Sequence, residues 1–166
     1  MKQLNPIRWA ILPLKKYATF SGRAPRAEYW WFNLAAMIAG LGTDYLDSFF
    51  SVPVVGVYGP VSLVFTLALI VPSVAVTVRR LHDSDRTGWW AVMDVWNYSL
   101  VIAGFSGLSI ETAMKSIGLV PALMLILLML SCGVILFIFM VTPGTKRSNE
   151  YGPDPYGASE LQEVFA

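Results

Sequence analysis

Apolar residues in this chain gather into long runs separated by short clusters of charge, unlike the alternation of half-buried strands or the three-and-four spacing of soluble helices. Residues 54–78 contain no charge and end abruptly at Arg79 and Arg80, and residues 118–141 are equally free of charge. A helix of roughly 20 apolar residues crosses a hydrocarbon core of about 30 Å, where the backbone N–H and C=O groups must satisfy one another. Two weaker runs complete the set. Residues 88–108 open with Trp89 and Trp90, suited to the headgroup level, but carry Asp94 inside. The run from Tyr29 is uncharged only to Thr43, so Asp44 and Asp47 must reach the far interface or turn toward water or protein. The pattern predicts an all-α polytopic membrane protein with four transmembrane helices, near 29–50, 54–78, 88–108 and 118–142, arranged as two hairpins.

The flanks read differently. In residues 1–28, Asn5 is a suitable N-cap and Pro6 a suitable first helical residue. From there Ile7, Ala10, Ile11, Leu14, Tyr17 and Ala18 share one helical face while Arg8 and Lys15 lie on another, with Pro13 expected to bend the helix. This is the pattern of an amphipathic helix lying in the membrane interface, or equally of one packed on the ends of the bundle. Residues 143–166 are rich in Pro, Gly, Asn and Asp, which favour turns over continued helix, and form a tail.

Composition agrees with the runs: 55% of the 166 residues are hydrophobic, 14% are charged and the mean hydropathy is +0.57. A net charge of +1 gives no broad attraction to nucleic acid, and none is expected as a partner. Placement of charge says more. Of the twelve Lys and Arg residues, six precede the first span, three lie at Arg79, Arg80 and Arg86, two follow the last span, and only Lys115 lies elsewhere. Basic residues concentrate on the cytoplasmic side, so both termini and the middle loop are expected in the cytoplasm. No cleavable signal peptide is recognisable in the first 28 residues. The lone Cys132 lies in a span and reads as a packing residue. An arginine shortly before an aromatic pair opens both the first and third spans, which suggests either a parallel repeat or the shared demands of entering from one side.

Three polar segments hold the candidate chemistry. "FSGRAPRAEYWWF" (residues 20–32) brings Arg23, Arg26 and Glu28 to the interface, and guanidinium forks suit phosphates and carboxylates. "RRLHDSDRTGWW" (residues 79–90) adds Arg79, Arg80, His82, Asp83 and Asp85. One histidine beside carboxylates is a poor metal shell, and the segment lacks a nucleophile elbow, a phosphate loop or paired catalytic acids. No metal or cofactor is expected. Asp83 and Asp85 are expected to pair with arginines of the same loop or with Arg23 and Arg26, fixing how the hairpins dock. Within the bilayer, Asn33, Ser73, Thr77, Asp94 and Asn97 all lie in the half nearer these segments. Lipid exposure would penalise them, so they should face the bundle as glue, or line a ligand or proton site, with Arg79 or Arg80 close enough to neutralise Asp94.

These segments, in this order between hydrophobic spans, resemble the bacterial inner-membrane proteins of domain-of-unknown-function family 805. The resemblance rests on Gly22, Arg23, Ala24, Arg26, Glu28, Tyr29 and Trp30, and on Arg79, Arg80, Leu81, His82 and Asp83 followed by Gly88, Trp89 and Trp90. In the tail it rests on Asn149, Tyr151, Gly152, Pro153 and Pro155. Asp85 stands where relatives commonly have glycine, and Glu150 where they often have arginine. The family has no assigned activity, so the resemblance implies location and topology without a reaction.

The leading expectation is a non-enzymatic module whose cytoplasmic cap of Arg23, Arg26, Glu28, Arg79, Arg80, His82, Asp83 and Tyr151 binds anionic lipid headgroups or a membrane-protein partner. Homo-oligomerisation is compatible with it. The alternatives are a small transporter or channel subunit built on the Asp94 cluster, and a membrane enzyme using His82 and Asp83.

Overall fold

The computed structural model describes residues 5–49, 59–94, 115 and 117–156. Among them lie four α-helices and one 3₁₀ helix, with a single isolated bridge between Asn149 and Gly152 and no strand. Residues 95–108 of the expected third span, including Asn97, and residues 54–58 of the second lie outside the described residues.

Helix α1 (Pro6–Lys15) starts where Asn5 Oδ1 accepts from the Ile7 amide at 3.2 Å, with Pro6 in the first turn, where a missing N–H costs nothing. It stops at Lys15, short of the Ala18 that the apolar face suggested. Pro13 removes a bond from its last turn, and Arg79 claims the carbonyls of Lys16 and Thr19 that a longer helix would need. Pro13 is buried against the body, whereas Ile7, Ile11 and Leu14 form an exposed stripe. Helix α1 packs on both α2 (Arg26–Phe49) and α3 (Pro60–Asp83).

Helices α2 and α3 are joined at both ends. At the start of α3, Asp47 of α2 accepts hydrogen bonds from the Val61 and Ser62 amides at 3.0 and 2.8 Å. A carboxylate there satisfies two orphan donors and sits favourably in the helix dipole. Gly59 makes the approach possible, since a Cβ on it would overlap the Asp47 side chain. The acid that complicated the first span is thus a cap supplied by one helix to the next.

In the middle of α3, Pro72 has no N–H to give the Ala68 carbonyl. The Tyr17 hydroxyl donates to that carbonyl instead, at 2.5 Å. Backbone freed by a proline at membrane depth requires such a substitute donor.

After α3 the chain turns through Asp85, whose φ of 59° lies in the left-handed region. Glycine is the default residue there, and Asp is one of the few others that visit this region. Gly88–Asp94 then form a 3₁₀ helix where an α-helical start was expected. The segment presses close on α3: a Cβ at Gly88 would lie 2.8 Å from Val78 Cγ1. Its Ala91 and Met93 pack against Leu81, Leu136 and Met140, and Trp90 meets Phe139 edge to face at 5.3 Å. Helix α4 (Leu119–Val141) completes the structure.

α3 and α4 are long and apolar enough to cross a membrane. Tight packing is concentrated toward the end of α3, in the clusters Ala24, Phe32, Val76 and Leu81, Leu136, Met140, with Tyr29 touching both. Many exposed residues along α2, α3 and α4 are apolar, as at Ile38, Leu41, Val64 and Leu127, which suits contact with lipid tails rather than water.

Candidate functional site

The polar end of α3 gathers three segments distant in sequence: the loop before α2, Arg79–Asp83 and the chain after α4. Arg79 and Arg80 are adjacent, so they leave the helix about 100° apart and serve different neighbours. Arg79, 1% exposed, donates to Glu28 Oε1 at 2.8 Å and to the carbonyls of Thr19 and Lys16 at the end of α1. Its own carbonyl accepts from the Ala24 amide at 2.9 Å. Arg80, fully buried, donates to Asp83 and to the carbonyls of Met140 and Thr142, where α4 runs out of internal donors. Each guanidinium therefore closes the C-terminal end of another helix, where cationic groups also match the macrodipole.

Arg23 reaches the same place from the loop. It pairs with Asp83 Oδ1 at 2.9 Å and donates to the carbonyls of Thr145, Arg147, Gly152 and Asp83 at 2.5, 2.8, 3.4 and 3.4 Å. Asp83 thus lies between Arg23 and Arg80, in agreement with the pairing expected from the charges, and its carbonyl takes the Thr145 amide at 2.9 Å. Asp85 instead serves the turn, and Arg86 lies 4.0 Å over the Phe139 ring. Three buried cations and two buried anions are tolerable because they pair with one another and backbone carbonyls occupy most of the remaining donors, the Arg79 Nε having no hydrogen-bond partner among the described residues.

His82 donates from Nδ1 to the Gly22 carbonyl at 3.1 Å, since a carbonyl can only accept, and stacks on Tyr151 at 3.9 Å and 5°. It lies past the apolar stretch that ends at Val78, and burial lowers its pKa while the Gly22 bond opposes the shift. The Asn149 amide donates to the His82 carbonyl at 2.8 Å, and Asn149 Oδ1 accepts from the Tyr151 amide at 3.0 Å. His82 is therefore used to seat the tail. Among the described residues no three His, Cys, Asp or Glu side chains converge as a metal would require.

Of the eight proposed cap residues, all but Arg26 are joined in this network. Arg26 is exposed and makes no hydrogen bond or ion pair among the described residues. It lines an open cleft of about 310 Å³ with Lys146, Asp154, Tyr156 and the edge of Asp83. Sequence reasoning missed Gly144 and Thr145. A Cβ on Gly144 would overlap the Asp83 carboxylate, and a glycine between Pro143 and Thr145 was the available signal.

The intramembrane group is only partly assembled. Asn33 and Asp94 line a second cleft of about 240 Å³ with Tyr29, Trp30 and α4. Asn33 also donates to the Tyr29 carbonyl at 2.8 Å. Thr77 is buried beside the Tyr29 phenol and Ser73 half-buried on α3, and neither lines the cleft. Arg79 and Arg80 direct their hydrogen bonds elsewhere than Asp94.

Comparison with known proteins fits this architecture. The chain is 32% identical over 150 residues to the inner membrane protein YhaI of Escherichia coli K12, covering 90% of this chain and 96% of that one. It is 30% identical over 147 residues to the inner membrane protein YhaH of the same organism, covering 89% and 95%. An uncharacterized protein, YiiR, is 29% identical over 142 residues, covering 82% and 85%. No solved structure matches the chain significantly. The family model described as protein of unknown function (DUF805) matches residues 17–153, a range that contains every residue of the buried arginine network except Lys16, and the chain belongs to that family.

Proposed function

We propose that the protein is a non-enzymatic, four-span module of the bacterial inner membrane, with both termini cytoplasmic, whose polar cap engages the phosphates of anionic lipid headgroups at the cleft between Arg26 and Lys146. The placement of Lys and Arg along the chain supports the orientation, and the names of the relatives support the membrane. The observation that carries the binding is a division of labour among cations. Arg23, Arg79 and Arg80 are consumed by internal acceptors and hold the cap together. Arg26 and Lys146 are exposed beside one cleft without internal partners among the described residues. Flexible cations at the interface each contribute about 1 kcal/mol toward an anionic surface.

The test is the acidic phospholipid retained by purified protein. The double variant Arg26→Gln/Lys146→Gln should retain it about 30-fold more weakly, as two such contributions imply, and the difference should shrink at high salt. Unchanged acidic lipid in the folded double variant refutes the reading.

A further inference from the structure

Helix α1 has two apolar faces, and the protein uses only one of them. Pro13 is buried and Trp9, Ala10 and Leu12 are half-buried as the helix packs on α2 and α3. Turning about 100° per residue, the helix places Ile7, Ile11 and Leu14 within about 60° of one another, on the side away from Trp9 and Pro13. They are 64%, 43% and 44% exposed, and Tyr17 and Phe20 continue the exposed apolar surface just beyond the helix. Arg8 and Lys15 lie along one edge of this stripe, exposed and without a side-chain hydrogen bond or ion pair among the described residues.

Charge and position say what such a face fits. Residues 1–27 hold six Lys or Arg and no Asp or Glu. A second copy of the helix would therefore add cations to this face with no acid to meet them. A leaflet offers the complement, an acyl boundary for the stripe and phosphates for its basic edge. Arg79, the first residue past the apolar stretch of α3, donates to the carbonyls of Lys16 and Thr19 and so fixes the end of α1 where that stretch gives way to charge. A helix of 10 residues is marginal in water by itself. Held by its inner face and by Arg79, α1 is formed before it meets lipid, and its outer face is preorganised.

We infer that the outer face of α1 is a docking surface for an anionic leaflet, with Ile7, Ile11 and Leu14 entering the acyl boundary and Arg8 and Lys15 reaching the phosphates. The helix then works with both sides at once, one against the bundle and one against lipid. This face is separate from the cleft at Arg26 and Lys146, and the Arg26→Gln/Lys146→Gln variant should leave it unchanged, so either reading can fail alone.

The test uses the full chain carrying Cys132→Ala and Ile11→Cys, with a nitrobenzoxadiazole label at position 11. The protein is reconstituted into vesicles of phosphatidylcholine alone or mixed with phosphatidylglycerol. In the mixed vesicles, lipids spin-labelled near the headgroup should quench the label strongly and aqueous iodide weakly, as expected about 5–10 Å inside the headgroup boundary. Adding Arg8→Gln/Lys15→Gln should lower the ratio of lipid-protected to iodide-accessible label about 30-fold, as two cations near an anionic surface imply. High salt should reduce that difference. Full access of iodide in both kinds of vesicle overturns the proposal, because the face then lies in water. Equal protection with and without the two cations, or with and without phosphatidylglycerol, overturns the anionic leaflet. Protection from iodide and spin-labelled lipid alike overturns it too, and crosslinking from position 11 then tells whether residues 157–166, a second copy or another protein covers the face.

Discussion

The two ends of α3 are held by opposite means. At its start one carboxylate, Asp47, receives two amide protons from the first turn. At its finish two guanidiniums send protons outward, to carbonyls around the ends of α1 and α4 and to two acids. The first arrangement joins two neighbouring helices, whereas the second fastens segments from Lys16 to Thr142. An arginine has five donors in a rigid fork, so one side chain at a helix end can collect several separate strands of chain, which an acceptor-only carboxylate capping a first turn cannot.

That contrast predicts where damage is greatest. Arg80→Ala leaves Asp83 with Arg23 alone and strands two carbonyls in a buried site, and should cost about 3–5 kcal/mol, read by thermal or denaturant unfolding in detergent. Arg80→Lys should not restore it, since one ammonium cannot match the fork. Asp47→Ala should cost less, and an equal loss would break the comparison. Next, Gly144→Ala pushes a methyl group into the Asp83 carboxylate and should cost about 1–3 kcal/mol, detected also as faster proteolysis of the tail.

A smaller effect concerns pH. Burial holds the folded His82 below its ordinary value of 6.5, so the unfolded chain takes up the proton first. The contribution of His82 is complete above that value and declines as pH falls below it. His82→Gln should flatten this acid-side slope of stability, and an unchanged slope assigns it to other groups. Smallest of all, Asp85→Gly relieves a left-handed residue and should be neutral or stabilising by less than ~1 kcal/mol. A loss of stability there would show that the Asp85 side chain matters to the turn.

How much of this is legible beforehand depends on whether the partner of a residue is a side chain or the backbone. The runs that became α3 and α4 are visible because lipid tolerates no interruption of apolar character over that length. The meeting of Arg23 with Asp83 follows from complementary charge in an apolar chain. The targets of Arg79 and Arg80 do not, because helix-terminal carbonyls look alike in every residue type. Whether Asp47 would meet the interface, water or protein stays open in the sequence for the same reason, since its partners are amide hydrogens. The tie from Tyr17 to Ala68 is foreshadowed only by Pro72, four residues beyond the carbonyl it frees. The 3₁₀ turn over Gly88–Asp94 depends on close passage over Val78, which no local pattern encodes.

The acceptors that surround Arg23 also set a schedule for biogenesis. Four of its bonds go to residues 83, 145, 147 and 152, all translated long after it. During synthesis this guanidinium must wait while α2, α3 and α4 are made. A ribosome halted before Thr145 leaves the arginine without most of its acceptors, so arrested chains should display a protease-sensitive loop at Arg23 that vanishes once Gly152 emerges.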